Sequence, residues 1–153
     1  MPSFRGSRLV RHAARDMFDL VADFERYPQF VPYCLAARIR QRAAGPAGVE
    51  TLIAEVEVGL GPIRERFATR DTLDRERLRI RIVDLEGPFQ RFESAWSFHD
   101  RPVGRGSRVE VSTEYEFLNP ALGLALGPIF DQVFGRLAQA FERWADARYR
   151  FTK

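Results

Sequence analysis

The run "NPALGLALGPIFDQVFGRLAQAFERWADARYRF" occupies residues 119–151, and how it folds decides how the rest must fold. Asn119 reads as an N-cap and Pro120 as the first helical residue, where a missing N–H costs nothing. Gly127-Pro128 then interrupts the pattern, because a proline removes a helical hydrogen bond and pushes the residue before it off α geometry. The prediction is an apolar leader over 120–126, a kink, and a main helix from 128 to about 149. Phe130, Val133, Phe134, Leu137, Phe141, Trp144 and Ala145 recur at helical spacing and make one broad apolar face. A rod of ~30 Å with such a face needs an equally large apolar partner.

That partner lies upstream. Between residues 34 and 118 the period changes to two, and turn signals recur at 43–48, 59–62, 73–78, 86–88 and 100–107. Six strand-length runs lie between them, the pattern of a hairpin-joined antiparallel meander. Leu52, Ala54, Val56 and Val58 alternate with Thr51, Glu55 and Glu57. Leu78, Ile80 and Ile82 alternate with arginines. Phe92, Trp96 and Phe98, and then Val109, Val111, Tyr115 and Phe117, share the apolar side. One face meets a core and the other meets water, with opposed Arg and Glu predicted as cross-strand pairs. Residues 3–11 read as a first strand. "AARDMFDLVADF" reads as a helix, and "DFERYPQFVPYCLA" (23–36) as a short broken helix or turn stiffened by Pro28 and Pro32. The predicted fold is α+β: one domain over 1–153, with a seven-stranded curved antiparallel sheet wrapped around a long kinked C-terminal helix and two short helices after strand 1.

Composition narrows the function classes. The 153 residues are 45% hydrophobic and include 13 Phe, which suits one domain with a real core and leaves room for a ring-lined cavity. Of the 24 basic residues every one but Lys153 is Arg, against 21 acids, for a net charge of +3. That balance permits an anionic partner without demanding one. A single cysteine excludes an intramolecular disulfide. No run has signal-peptide character or the ~18 apolar residues of a membrane span. The expected location is a reducing cytoplasm, with peripheral contact at the inner face of a membrane.

"FDLVADFERYPQFVPYC", "EGPFQRFESAWSF" and "YEFLNPALGLALGPIFDQVFGRLAQAFERWADARY" resemble the coenzyme Q-binding START-domain proteins. That group belongs to the START-like, polyketide cyclase-like superfamily, which also holds ribosome-association toxins. The resemblance runs from about Phe4 to Tyr149. It implies the helix-grip fold, a cavity between sheet and long helix, and an isoprenoid quinone such as ubiquinone, or a related lipid, as bound ligand rather than cofactor. It also implies a role supporting respiratory electron transport without chemistry on the quinone, and transient contact with a membrane surface. Two alternatives travel with it: a toxin that binds the large ribosomal subunit and blocks subunit association, and a polyketide cyclase-like enzyme. No DNA partner is expected.

Given such a cavity, inward parity nominates its lining. Tyr27, Phe30 and Val31 come from the proline-rich segment, which the helix-grip fold would lay over one opening, facing the 120–130 leader. Val56, Glu65, Phe67 and Ile80 come from the first half of the sheet. Phe92, Ser94, Trp96, Val111 and Tyr115 come from the second half, and Leu126, Phe130 and Phe134 from the helix. Glu65 shares parity with Phe67, Thr69 and Asp71. It either points inward, where its protonated carboxyl would bond a quinone substituent, or sits at a bulge, or at the rim paired to an arginine. Ser94 and Thr113 are either polar anchors or small residues making room for the helix. No spacing supplies metal ligands, a phosphate loop or a nucleophile with its base. His12 and His99 read as surface or end-of-strand residues. Cys34 has neither base nor positive field beside it and reads as a buried, inert thiol. The seven arginines of 64–81 are a solvated, salt-bridged face or a contact for RNA or anionic lipid. The 120–130 leader is either plain buried helix or a mobile lip loosened by Gly123 and Gly127.

Overall fold

A computed structural model describes residues 3–102 and 106–149. The turn predicted at 100–107 lies partly outside them. Chain order is β1 (Ser3–Val10), α1 (Ala14–Ala22), a 3-10 segment (Phe24–Gln29), β2 (Cys34–Ala44), β3 (Val49–Leu60), β4 (Ile63–Asp74), β5 (Arg79–Glu86), β6 (Phe89–Asp100), β7 (Ser107–Phe117) and α2 (Pro120–Arg148). The seven strands form one antiparallel sheet in the order β1-β7-β6-β5-β4-β3-β2. Only the β1–β7 pairing joins strands distant in sequence. The connection from β1 to β2, through α1 and the 3-10 segment, carries the chain from one edge of the sheet to the other.

Alternation sets the faces. Leu52, Ala54 and Val58 of β3, Phe92, Trp96 and Phe98 of β6, and Val109, Val111 and Tyr115 of β7 are all buried. They meet Ile129, Phe130, Val133, Phe134, Leu137, Phe141 and Ala145 of α2 in one core. The opposite face carries the predicted pairs: Arg38–Glu55, Arg42–Glu50, Arg66–Glu57, Arg81–Glu93 and Arg91–Glu114. Such exposed pairs are worth at most about 1 kcal/mol each. Their effect is to keep a strongly charged face nearly neutral.

α2 is longer than a 20-residue rod. Its 29 residues span ~43 Å at 1.5 Å per residue. Asn119 caps it, with Oδ1 accepting from the Leu122 N–H at 3.0 Å, and Pro120 is its first residue. The leader predicted for 120–126 is continuous with the main helix, and Pro128 lies inside it. The carbonyl freed by Pro128 is that of Leu124, which is 82% exposed, so water can satisfy it and the helix need not end.

Candidate functional site

Five aromatic rings meet where the 3-10 segment crosses α2. Phe30 stacks on Trp144 with centroids 4.7 Å apart and planes 10° from parallel. Phe141 receives edges from Tyr27 at 5.4 Å, Phe30 at 5.1 Å and Trp96 at 5.5 Å. The Tyr27 hydroxyl donates to the Val21 carbonyl at the end of α1. The proline-rich segment is thereby latched to the second half of α2, not to the 120–130 leader. The leader covers the other end of the core, where Gly123 approaches Phe117. Leu126, Ile129 and Phe130 are buried there, while Leu124 is exposed.

Beneath this latch lies an apolar cavity of about 110 Å³. Its roof is Phe24, Tyr27, Val31 and Pro32. Its sheet wall is Cys34, Val56, Val58, Phe67, Thr69, Ile82, Phe92, Ser94 and Trp96. α2 closes it with Phe130, Val133, Phe134, Leu137 and Phe141. No charged side chain and no histidine is in that lining.

Nine of the nominated residues meet at this cavity: Tyr27, Val31, Val56, Phe67, Phe92, Ser94, Trp96, Phe130 and Phe134. Six do not. Phe30 clamps the roof from outside, beside Arg136, Gln139 and Ala140. Glu65 is half-buried near the hairpin end of β4, opposite Val58, and lies outside the lining. That strand end begins at Ile63, itself 37% exposed, so inward parity there no longer means enclosure. Ile80, Val111 and Leu126 are solid core. Tyr115 packs on Phe130 and Phe134 and directs its hydroxyl to Asp131 at 3.4 Å.

Polar groups in the wall are few and backed. The Ser94 and Thr113 hydroxyls are bonded to each other at 3.0 Å. The Thr69 hydroxyl donates to Asp71 Oδ1 at 2.7 Å. Asp71 is buried, and among the described residues its Oδ2 has no hydrogen-bond partner. Desolvation raises its carboxyl to about 7, the Thr69 bond opposing. Burial likewise pushes the Cys34 thiol up to about 11, where it is a thiol at neutral pH and a poor nucleophile. Burial, followed by the Asp71 charge, raises Tyr27 well above the usual phenol value.

His12 departs from expectation. It follows β1, as the sequence places it, but is fully buried, with Nε2 2.7 Å from Asp146 Oδ1. It ties the β1–α1 junction to the end of α2, away from the cavity. Its signal was position: a polar residue where strand, helix and the C-terminus of α2 converge. Asp71 was legible only as parity. Among the described residues no group of three His, Cys, Asp or Glu is placed to hold a metal ion, and no helix is long and apolar enough to cross a membrane.

Residues 10–142 match the family model described as polyketide cyclase / dehydrase and lipid transport. The chain is 32% identical over 143 residues to the ribosome association toxin RatA of Escherichia coli, covering 92% of this chain and 85% of that one. It is 27% identical to the mitochondrial coenzyme Q-binding protein COQ10 homolog B of Xenopus laevis, covering 94% of this chain and 57% of that one. Among solved structures, a START superfamily protein from Mycobacterium smegmatis superposes with a TM-score of 0.76 at 21% identity, over 96% of this chain and 99% of that one. That last likeness is one of fold.

Proposed function

Because the chain belongs to the polyketide cyclase / dehydrase and lipid transport family, we propose that it binds a lipophilic molecule between sheet and α2, with an isoprenoid quinone of the ubiquinone type as the ligand that best suits the cavity. The cavity itself is the observation that carries this. Its wall is aromatic and aliphatic with isolated hydroxyls, the lining that holds an apolar ring and orients it through a few polar atoms. The role is binding rather than catalysis, since the lining offers no charged group or histidine to move a proton directly. A relative named for coenzyme Q binding supports the same ligand class.

Size adds a condition. A cavity of about 150 Å³ can take a benzene ring, whereas pockets for whole ligands run to roughly 300 Å³ and more. At about 110 Å³ the closed form accommodates at most a compact ring. An isoprenoid tail requires the roof to lift, and the Phe30–Trp144 and Tyr27–Phe141 contacts are what must part. Affinity for the tail then comes from apolar burial at roughly 25 cal/mol per Å². Organic extraction of the purified protein followed by mass spectrometry should yield a quinone or other isoprenoid lipid. Phe30→Asp, which unlatches the roof without touching the wall, should lower the amount retained. Protein that is empty and also fails to take up added quinone would sink the proposal.

A second function is supported by a separate observation. Arg5 and Arg79 are exposed on the outer sheet face and, among the described residues, make no ion pair. With Arg81, itself paired to Glu93, they line a shallow groove floored by Ser7, Ala95, Ser97 and Ser112 and also bordered by Asp74 and Glu110. The Arg5 and Arg79 guanidiniums, unpaired among the described residues, suit a phosphate backbone, and a relative is named as a ribosome association toxin. Arg77 is held by Asp74 instead. Under this reading the protein co-sediments with the large ribosomal subunit in sucrose gradients, and changing Arg5, Arg79 and Arg81 together to Glu releases it. Co-sedimentation unchanged in that variant would remove the groove from consideration.

A further inference from the structure

Asp71 has no structural partner that accounts for it. It sits on the inner face of β4, opposite Leu52 of β3 and Ile82 of β5, and is 1% exposed. Among the described residues no cation neutralises it, and a buried carboxylate with one unpaired oxygen destabilises the fold. Among the described residues its one side-chain bond is to Thr69, which lines the cavity wall. Ile82, its cross-strand neighbour, is in the same wall. The carboxyl is therefore one hydrogen bond away from any molecule in the cavity.

We propose that Thr69 and Asp71 form a proton-coupled anchor that makes the cavity select a ligand carrying a carbonyl oxygen when Asp71 is protonated, and one carrying a hydroxyl when it is ionised. A hydroxyl has one proton and two lone pairs. When Asp71 is a carboxylate, the Thr69 proton is committed to Oδ1, so Thr69 presents only an acceptor to the cavity. A ligand hydroxyl can donate to it, whereas a carbonyl finds no donor at Thr69. When Asp71 is protonated, its own O–H donates to Thr69 Oγ1. The Thr69 proton is then free to turn inward and donate to a carbonyl. The anchor presupposes that the cavity takes a ligand at all, and it deepens that proposal by naming the head-group chemistry.

The surroundings leave Asp71 as the group that switches. Tyr27 of the roof feels the Asp71 charge, and Cys34 of β2 and Asp23 act on Tyr27 as well. Tyr27 and Cys34 keep their protons throughout the neutral range. Asp23 is paired to Arg26 at the surface. Leu52 and Ile82, on the flanking strands, do not titrate. Burial brings the Asp71 carboxyl to about 7, so both states are accessible near neutrality.

Three matched probes test this by calorimetric titration at pH 5.5 and pH 8.5: 4-pentylcyclohexanone, 4-pentylcyclohexanol and pentylcyclohexane. One hydrogen bond gained or lost is worth about tenfold in affinity. The ketone should bind about tenfold more tightly at pH 5.5 than at pH 8.5, the alcohol should show the opposite trend, and the hydrocarbon should be indifferent to pH. Thr69→Val, equal in shape, should abolish both pH effects while leaving hydrocarbon binding intact. Asp71→Asn, which can donate to Thr69 at any pH, should hold the ketone tightly at both. Should a variant not fold, the wild-type pH comparison decides alone. Hydrocarbon binding with no ketone–alcohol difference between the two pH values overturns the anchor but leaves the cavity proposal standing. Failure of all three probes to bind overturns both.

Discussion

Phe141→Ala should lower the stability of the protein by about 3–5 kcal/mol, the range for truncating a buried Phe, and should be the most damaging single change in the site. Phe141 is 1% exposed, and its ring is shared by three parts of the fold: the roof through Tyr27 and Phe30, β6 through Trp96, and α2 itself. Aromatic pairs of this kind add roughly 0.5–1.5 kcal/mol beyond their buried area. Phe141→Leu keeps most of the volume and should cost less than half as much. Urea denaturation with both variants measures the difference. Because Phe141 also lines the cavity, the alanine variant enlarges it toward the size that ligand pockets reach. Added ubiquinone analogue should then restore more stability to Phe141→Ala than to the wild type, by linkage to the folded state. A loss under about 1 kcal/mol would mean that the roof is not held through this ring.

Much of this arrangement was legible in the sequence because two periods report on faces. Strict alternation in β3, β6 and β7 assigned their inner residues, and helical spacing assigned Phe130, Val133, Phe134, Leu137 and Phe141 to the face that meets them. Period does not report where along a strand enclosure stops. Glu65 and Thr69 have the same parity on β4, yet Thr69 is in the cavity wall and Glu65 is beyond it near the hairpin. Nor does it separate a wall from solid core: Ile80, Val111 and Tyr115 point inward but are packed against neighbours without space between. The roof was misplaced for a different reason. The 120–130 leader and the second half of α2 are both apolar, and only the three-dimensional contacts of Phe30 with Phe141 and Trp144 choose between them. Asp71 was legible as inward parity beside Glu65 but not as a cavity anchor, because a carboxylate at an inward position is usually a rim residue with an arginine beside it. Here, among the described residues, no arginine pairs with it, and its one side-chain bond is to Thr69.

The Asp71→Asn variant should be more stable than the wild type at pH 8 and should lose that advantage as the pH falls. The folded chain binds the Asp71 proton more tightly than the unfolded chain does, since desolvation raises the carboxyl from 3.8 to about 7. A proton held more tightly in the folded state stabilises it wherever that proton is bound. The contribution is fully present below pH 3.8, falls as pH rises, and is gone above about 7. At 1.36 kcal/mol per pH unit between those limits, the ceiling is about 4 kcal/mol, and water reaching the site reduces it. Asp74 acts the other way. It is held below its usual value by its bonds to the Arg77 backbone and side chain, and so favours the folded state at higher pH. Total stability therefore mixes opposing trends, and the informative quantity is the difference between wild type and variant. Urea midpoints at pH 8, 6.5 and 4.5 should converge downward, from a gap of about 1–2 M to nearly none. Parallel curves would mean that Asp71 is ionised throughout this range, and that the carboxylate is solvated at neutral pH rather than poised beneath Thr69.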